Sequence, residues 1–114
     1  MAKKRKYGAV KKVYNNIEYH STKEADRAKV LDILLKNGLI SDLKRQVRYT
    51  WDVIHRNIET GIEFRKKQSY VSDFEYIDSM GKHIVEDVKG FETSEYKAKK
   101  KIMKKIFGID ILQT

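Results

Sequence analysis

Two acidic residues and a lysine lie where they could carry hydrolytic chemistry. Residues 83–90 read as a strand, and Asp87 and Lys89 share one of its faces because side chains alternate across a strand. The preceding predicted strand, residues 69–77, contains Asp73. In the hairpin that these two strands would form, Asp73 lies across from Asp87. The sequence therefore predicts two carboxylates and a lysine at one end of a sheet.

This combination of residue types suits phosphodiester hydrolysis. Two close carboxylates repel each other and are tolerated most easily when a divalent cation lies between them. Magnesium usually takes one or two protein carboxylates, and the substrate phosphate supplies further oxygens. Lys89 could orient a water or meet the charge that grows on the phosphate. Glu86, on the opposite face, is the rival metal acid, although the spacing to Lys89 favours Asp87.

The structural alternative for Asp87 and Lys89 is an exposed ion pair. Charged side chains on an edge strand block aggregation without any catalytic role. Asp73 has an alternative as well, because it could simply flank a turn, although it precedes the turn at Asp78 by five residues.

The elements that position these residues follow from hydrophobic periodicity and turn residues. Ser21-Thr22-Lys23-Glu24 is a capping-box pattern that opens a helix, and Asn37-Gly38 ends it. Strand, helix and strand at the C-terminal end predict a parallel crossover. The fold predicted is α/β (α+β), a mixed central sheet flanked by helices. Its order is a hairpin around Asn15-Asn16, a helix, a three-stranded meander of residues 46–58, 69–77 and 83–90, a helix from Ser94 to Gly108, and a strand at 109–112.

The positive charge is concentrated in two runs. The net charge is +9, yet residues 1–12 hold six basic residues and no acid, and residues 97–114 hold six lysines and one acid. Such patches attract polyphosphates. We therefore expect residues 1–12 to be a basic N-terminal arm, residues 13–114 to be a single domain, and the two basic runs to bind nucleic acid. The alternative is a solvated tail and a solvated helix face. The expected DNA-binding residues are Lys3, Lys4, Arg5, Lys6, Lys99 and Lys100.

Composition excludes several classes of site. The chain has no cysteine, so disulfides, thiolate metal sites and a cysteine nucleophile are excluded. No apolar run approaches the ~20 residues of a membrane span, and no signal-peptide stretch is visible, so we expect a cytoplasmic protein with no membrane partner.

Asp73, followed fourteen residues later by Asp87-Val88-Lys89, resembles the PD-(D/E)XK nuclease superfamily. The run "SDFEYIDSMGKHIVEDVKGFETSEYKAKKKIMKKIFGIDI" is also similar to a group of small phage-borne endonuclease-like proteins, and the likeness covers roughly residues 17–111. It implies a restriction-endonuclease-like αβββαβ core, dependence on Mg²⁺ with Mn²⁺ able to substitute, and cleavage of DNA, in the host cytoplasm if the protein is phage-encoded.

The same resemblance assigns residue roles. Asp73 and Asp87 match the metal-binding acids, and Lys89 matches the catalytic lysine. Glu24 matches a catalytic and metal-binding acid that many members place on the first core helix. Ser72 departs from the pattern, because it stands where the family has a proline.

Glu24 and Lys99 each have a structural alternative. Glu24 falls where a capping-box glutamate would reach back to Ser21, yet it also heads the buried helical stripe that includes Ala28 and Leu31. Lys99 lies on the apolar stripe of its helix, where a lysine commonly extends its stem along apolar surface, yet it could also reach a phosphate.

Three function classes are compatible with these patterns. They are a metal-dependent DNA endonuclease, a non-catalytic nucleic-acid-binding protein with a nuclease-like fold, and a basic protein of a ribonucleoprotein. The paired acids favour the enzyme, because a pure phosphate binder gains nothing from carboxylates near its phosphate. Cleavage of both strands, or of branched recombination DNA, would require two active sites and hence a homodimer.

Overall fold

The protein, described here by a computed structural model over residues 11–89 and 92–114, has the predicted mixed α+β architecture. No helix in the described ranges is long and apolar enough to cross a membrane. The elements in chain order are β1 (Lys12–Tyr14), β2 (Ile17–Tyr19), α1 (Thr22–Lys36), β3 (Ser41–Arg45), β4 (Arg48–Arg56), β5 (Glu63–Val71), β6 (Phe74–Ile77), β7 (His83–Asp87), α2 (Ser94–Phe107) and β8 (Ile111–Gln113).

The central sheet has four strands in the order β3-β6-β7-β8. β6 pairs antiparallel with both β3 and β7, whereas β7 and β8 are parallel. The chain passes through α2 between β7 and β8. The predicted strand, helix and parallel strand at the C-terminal end are therefore confirmed.

The two helices belong to different core clusters, one on each face of the sheet. Ala28 and Leu31 of α1 cluster with Phe74 and Tyr76 of β6. On the other face Met103 of α2 is fully buried and belongs to a second cluster with β7, β8 and the start of β4. Because neighbouring residues of a strand point to opposite faces, β7 serves both clusters: Ile84 packs against the first and Val85 belongs to the second.

The predicted meander is wrong in two respects. The predicted strand 69–77 is interrupted at Ser72-Asp73, so its first part ends β5 and its second part forms β6. β5 pairs only with β4 in a separate two-stranded sheet. The strand beside β6, on the side away from β7, is β3. β3 was not predicted because four of its five residues are polar or charged. Its pairing with β6 also contains a register shift, next to the positive φ of Asp42.

The predicted helix ends and first turn are confirmed. Asn15 and Asn16 both have positive φ in the β1–β2 turn. The Ser21 side chain accepts a hydrogen bond from the Glu24 backbone amide, and Gly108 ends α2 in the left-handed conformation. Lys12 lies in β1, so the last residue assigned to the basic arm belongs to the folded hairpin.

β4 and β5 form a long ribbon that leaves the body of the protein. Its base is buried through Trp51 and Tyr70, which belong to the core cluster on the α2 side. Beyond that base every residue from 54 to 68 is exposed. The ribbon is therefore anchored at one end, and the anchored end of β5 leads directly to Asp73.

Glu86 is fully buried on the α1 side of β7 and is held by an ion pair. Its two carboxylate oxygens accept hydrogen bonds from the Arg27 guanidinium, one of them at 3.0 Å from Nη2. Tyr76 Oη and Thr114 Oγ1 donate to the same carboxylate at 2.7 and 2.9 Å. The charge of Glu86 is thus used to join α1 to the sheet.

Glu86→Gln should destabilise the fold because it leaves the Arg27 charge without its partner in a largely buried place. We expect the free energy of unfolding to fall by about 3 kcal/mol in urea titrations. Glu63→Gln, which breaks the exposed Arg56–Glu63 pair on the ribbon, should cost less than about 1 kcal/mol. Equal losses in the two variants would contradict a structural role for the Glu86 carboxylate.

Candidate active site

Asp73 and Asp87 lie together at one end of the β6–β7 hairpin. Phe74 pairs with Glu86, and the Asp73 backbone amide donates to the Glu86 carbonyl oxygen at 3.1 Å. This register places Asp73 across from Asp87, the last residue of β7. Asp73 Oδ2 also accepts a hydrogen bond from the Val88 backbone amide at 2.7 Å. The structure thus brings the two acids together, as the sequence predicts.

The closeness of the two carboxyl groups changes the acidity of Asp73. Burial, and then hydrogen bonding to Asp87 and its negative charge, raise the pKa of Asp73 to about 8, against the opposing effect of the Val88 amide. A shared proton relieves the repulsion between the carboxylates, and a divalent cation would relieve it further. Two carboxylates beside a polar pocket fit Mg²⁺ or Mn²⁺, which take oxygen ligands.

Lys89 lies beside this pair. Its Nζ is 3.8 Å from Asp87 Oδ2 and 4.9 Å from the centre of the Tyr96 ring. The backbone at this position is held on both sides. The Lys89 amide donates to the Thr114 carbonyl oxygen at 3.2 Å, and the Lys89 carbonyl accepts from Lys23 Nζ at 2.8 Å. The ammonium group therefore starts from a fixed backbone and reaches the acids.

Two tyrosine hydroxyls at the site were not identified as functional from the sequence. The hydroxyl groups of Tyr70 and Tyr96 are buried and meet no hydrogen-bond partner among the described residues. Burial, followed by the nearby charge of Asp87, raises the pKa of Tyr70 and raises that of Tyr96 to about 12. Both side chains line the same pocket as the acids. Both hydroxyls lie close enough to Asp87 to feel its charge, although the sequence pattern of the two tyrosines is that of core residues.

Glu24 lies near the pair without joining it. Its carboxylate is buried, and one oxygen, Oε1, has no hydrogen-bond partner among the described residues. Burial raises its pKa, the charges of His20 and Arg45 lower it, and Asp87 raises it slightly. Within the described ranges no three Asp, Glu or His side chains form a group that could hold a metal ion. The role of Glu24 therefore stays a prediction.

Glu75 is a further buried acid that the sequence did not single out. Its carboxylate accepts hydrogen bonds from Tyr49 Oη at 2.7 Å and from Ser72 Oγ at 2.9 Å, and His83 Nε2 lies 2.7 Å away. Ser72, which stands where the PD-(D/E)XK pattern has a proline, is therefore part of a buried polar network that joins the ribbon base to β6. Glu75 and Glu86 are both satisfied, and the acids that line the pocket are Asp73, Asp87 and the exposed Glu95.

The pocket has a volume of ≈ 390 Å³ and lies between the end of β5 and the start of α2. Lys99 lines it and pairs with Glu95 at 3.1 Å. Lys100 pairs with Glu92 at 3.8 Å and is not part of the lining. The other predicted DNA-binding residues, Lys3, Lys4, Arg5 and Lys6, lie outside the described residues.

One family of proteins matches nearly the whole chain. The match is to DUF1064, described as a protein of unknown function, and it covers residues 4–111. The chain belongs to the DUF1064 family. No curated protein and no solved structure matches the chain. Membership of DUF1064 therefore implies no function, and the resemblance to PD-(D/E)XK nucleases stays a prediction.

The raised pKa of Asp73 predicts that the metal-free protein loses stability as the pH rises. Between the ordinary pKa of an aspartate and about 8, the folded protein holds a proton here that the unfolded chain has released. The free energy of unfolding therefore falls with pH in this range, by at most about 1.4 kcal/mol per pH unit. Asp73→Asn should flatten this dependence in urea titrations with EDTA between about pH 5 and pH 8.

Asp26→Asn is the matched control, because Asp26 is exposed and its weak pair with Lys29 spans 3.9 Å. It should leave the pH dependence as in the unchanged protein. A dependence that persists in Asp73→Asn would show that the two carboxyl groups do not share a proton.

Proposed function

We propose that this protein is a metal-dependent endodeoxyribonuclease that hydrolyses phosphodiester bonds. The observation that carries the proposal is the placement of Asp73 and Asp87 side by side at a polar pocket, with the Lys89 ammonium 3.8 Å from Asp87. Buried like charges are costly for a fold to keep together unless a cation uses them.

The order of the elements supports the same proposal. Apart from the β1–β2 hairpin and the β4–β5 ribbon, the chain runs α1, β3, β6, β7, α2, β8, with β7 and β8 parallel. This is the αβββαβ order that the resemblance implies. Asp87 ends β7 and Asp73 directly precedes β6, the two middle strands of that sheet. The Asp73 backbone is hydrogen-bonded on both sides, to Gln46 and to Glu86.

The roles of the residues follow from their positions. Asp73 and Asp87 would hold Mg²⁺ or Mn²⁺, and when bound the cation would neutralise the paired carboxylates and withdraw charge from the phosphate. Lys89 would orient the attacking water or meet the negative charge that grows on the phosphate. Tyr70 and Tyr96, whose buried hydroxyls lie near Asp87, would help to hold that carboxylate in place.

The substrate that we propose is DNA, with branched or recombination DNA as the preferred form. Because the proposed site cuts one strand at a time, cleavage of both strands or of a junction would require two copies of the chain, and hence a homodimer. The alternative is a non-catalytic nucleic-acid-binding protein with a nuclease-like fold. Such a protein would bind DNA without cleaving it in the following experiments.

Asp87→Asn should abolish both DNA cleavage and stabilisation by metal. In the unchanged protein, Mg²⁺ at about a hundred times its Kd should raise the free energy of unfolding by about 2.7 kcal/mol, and EDTA should reverse the gain. The variant should show no gain and no cleavage of plasmid or four-way-junction DNA. Asp110→Asn, which changes an exposed acid on the loop before β8, should keep both properties.

The two readouts separate the alternatives. Metal-dependent stabilisation without cleavage by the unchanged protein would favour a binding protein with a nuclease-like fold. Undiminished cleavage by Asp87→Asn would end the assignment of Asp87.

Lys89→Ala should slow the chemical step and leave DNA affinity nearly unchanged. A preorganised charge near the transition state is worth several kcal/mol, so the single-turnover rate should fall by a factor of ~100 or more. Lys101→Ala, which removes the same charge from an exposed position on α2, should spare that rate. The comparison is made with DNA saturated by protein. An equally small loss in both variants would mean that Lys89 only contributes to the general positive field.

A further inference from the structure

A groove leads away from the candidate active site between β5 and the first half of α2. Its volume is ≈ 450 Å³, and it adjoins the pocket that holds the acids, because Ser69, Glu95 and Lys99 line both. Lys67 and Gln68 complete the β5 wall, and Ala98 and Ile102 complete the α2 wall. A chain bound at the acids can therefore continue into this groove.

We propose that this groove binds the stretch of DNA strand next to the scissile phosphate, with its phosphates held between Lys67 and Lys99. The inference rests on the proposed nuclease function, and it adds a binding subsite on the ribbon that the sequence did not predict. The occupant is argued from charge and continuity. One lysine stands on each wall, the groove opens into the pocket with the acids, and polyphosphate is the ligand that such opposed cations attract.

The present partners of both lysines are weak competitors for a phosphate. Lys67 Nζ is 3.2 Å from Asp52 Oδ1, and Lys99 Nζ is 3.1 Å from Glu95 Oε1. Both acids are solvent-exposed, and the Glu95 side chain retains 77% of its exposure. Exposed pairs of this kind contribute about 0–1 kcal/mol, so a bound phosphate can recruit either ammonium at small cost.

The small residues of the groove explain why a strand would fit there. Ala98 and Ser69 carry short side chains, so the space between the walls stays open, and Ile102 supplies an apolar surface for a sugar or base edge. Three residues separate Lys67 from Tyr70 on β5, which is about 10 Å at ~3.3 Å per residue.

The absence of cysteine from the chain allows a direct test of occupancy. Ala98→Cys places a single thiol at an exposed helix position in the groove, and Lys36→Cys places one in the last turn of α1 as the matched control. N-ethylmaleimide alkylation is followed with and without a forked DNA, in EDTA. At about ten times the Kd some nine-tenths of the protein is occupied, so Ala98→Cys should react about tenfold more slowly, and Lys36→Cys at an unchanged rate.

Salt dependence supplies a second readout that needs no label. The affinity for DNA falls as the salt concentration rises, and each phosphate contact adds ~0.7 to 0.9 to the steepness of log affinity against log salt. Lys67→Ala and Lys99→Ala should each make this dependence less steep by that amount, whereas Lys36→Ala should leave it unchanged. Unaltered slopes in both groove variants would overturn the proposal, as would equal alkylation of Ala98→Cys with and without saturating DNA.

The outcome is distinguishable from that of the proposed function. If DNA does not slow the alkylation of Ala98→Cys, and the protein still cleaves DNA with Mg²⁺, the groove proposal is wrong and the proposed nuclease function stands. If DNA protects Ala98→Cys from alkylation, but the protein never cleaves DNA, the groove is a strand-binding site and the proposed nuclease function is wrong.

Discussion

The repulsion between Asp73 and Asp87 is the constraint around which the rest of the site is built. Two unit charges about 4 Å apart repel by about 4 kcal/mol at the effective dielectric of a protein surface, and more where water is excluded. The protein sustains this cost through the β6–β7 register, which fixes both backbones, and through the Val88 amide, which donates to Asp73. Burial first, and then hydrogen bonding to Asp87 and its charge, raise the pKa of Asp73, so that one proton is retained where two charges would otherwise meet.

The two neighbouring acids at the end of β7 have different surroundings, because a strand presents alternate residues to opposite faces. Glu86 points to the α1 side, where Arg27, Tyr76 and Thr114 satisfy its carboxylate. Asp87 points to the α2 side, where it meets another acid, a lysine and two unpartnered tyrosine hydroxyls within the described part of the chain. A satisfied ion pair holds the fold together, whereas an unsatisfied cluster has the composition of a site that awaits a cation and an anion.

The ribbon connects this cluster to a wider surface. Its base is fixed by Trp51 and Tyr70 in the core, and its strand β5 passes along the pocket before the chain reaches Asp73. Glu75 reinforces the junction through Tyr49 of β4 and Ser72. The ribbon base is thus joined to the sheet next to the acids, and Lys67 lies one residue pair beyond Trp51 on that ribbon.

The sequence by itself determined the local features, because these depend on residues close together in the chain. The Ser21 side chain begins α1 by accepting a hydrogen bond from the Glu24 amide, and Gly108 ends α2 with a positive φ. Asn15-Asn16 forms its turn through positive φ as well. The pairing of Asp73 with Asp87 was also predictable, since the two lie in consecutive strands joined by one short turn.

Only the tertiary structure decided which strand lies beside β6 and what each buried acid contacts. β3 carries charged residues and a register shift, so its sequence lacks the alternation by which strands are recognised, and it forms because it completes the edge of the sheet. In the sequence Tyr70 and Tyr96 have the pattern of core residues. Only the tertiary structure shows that β5 and α2 bring both of them to the pocket that Asp87 lines. Contacts of this kind join residues far apart in sequence, and no local pattern records them.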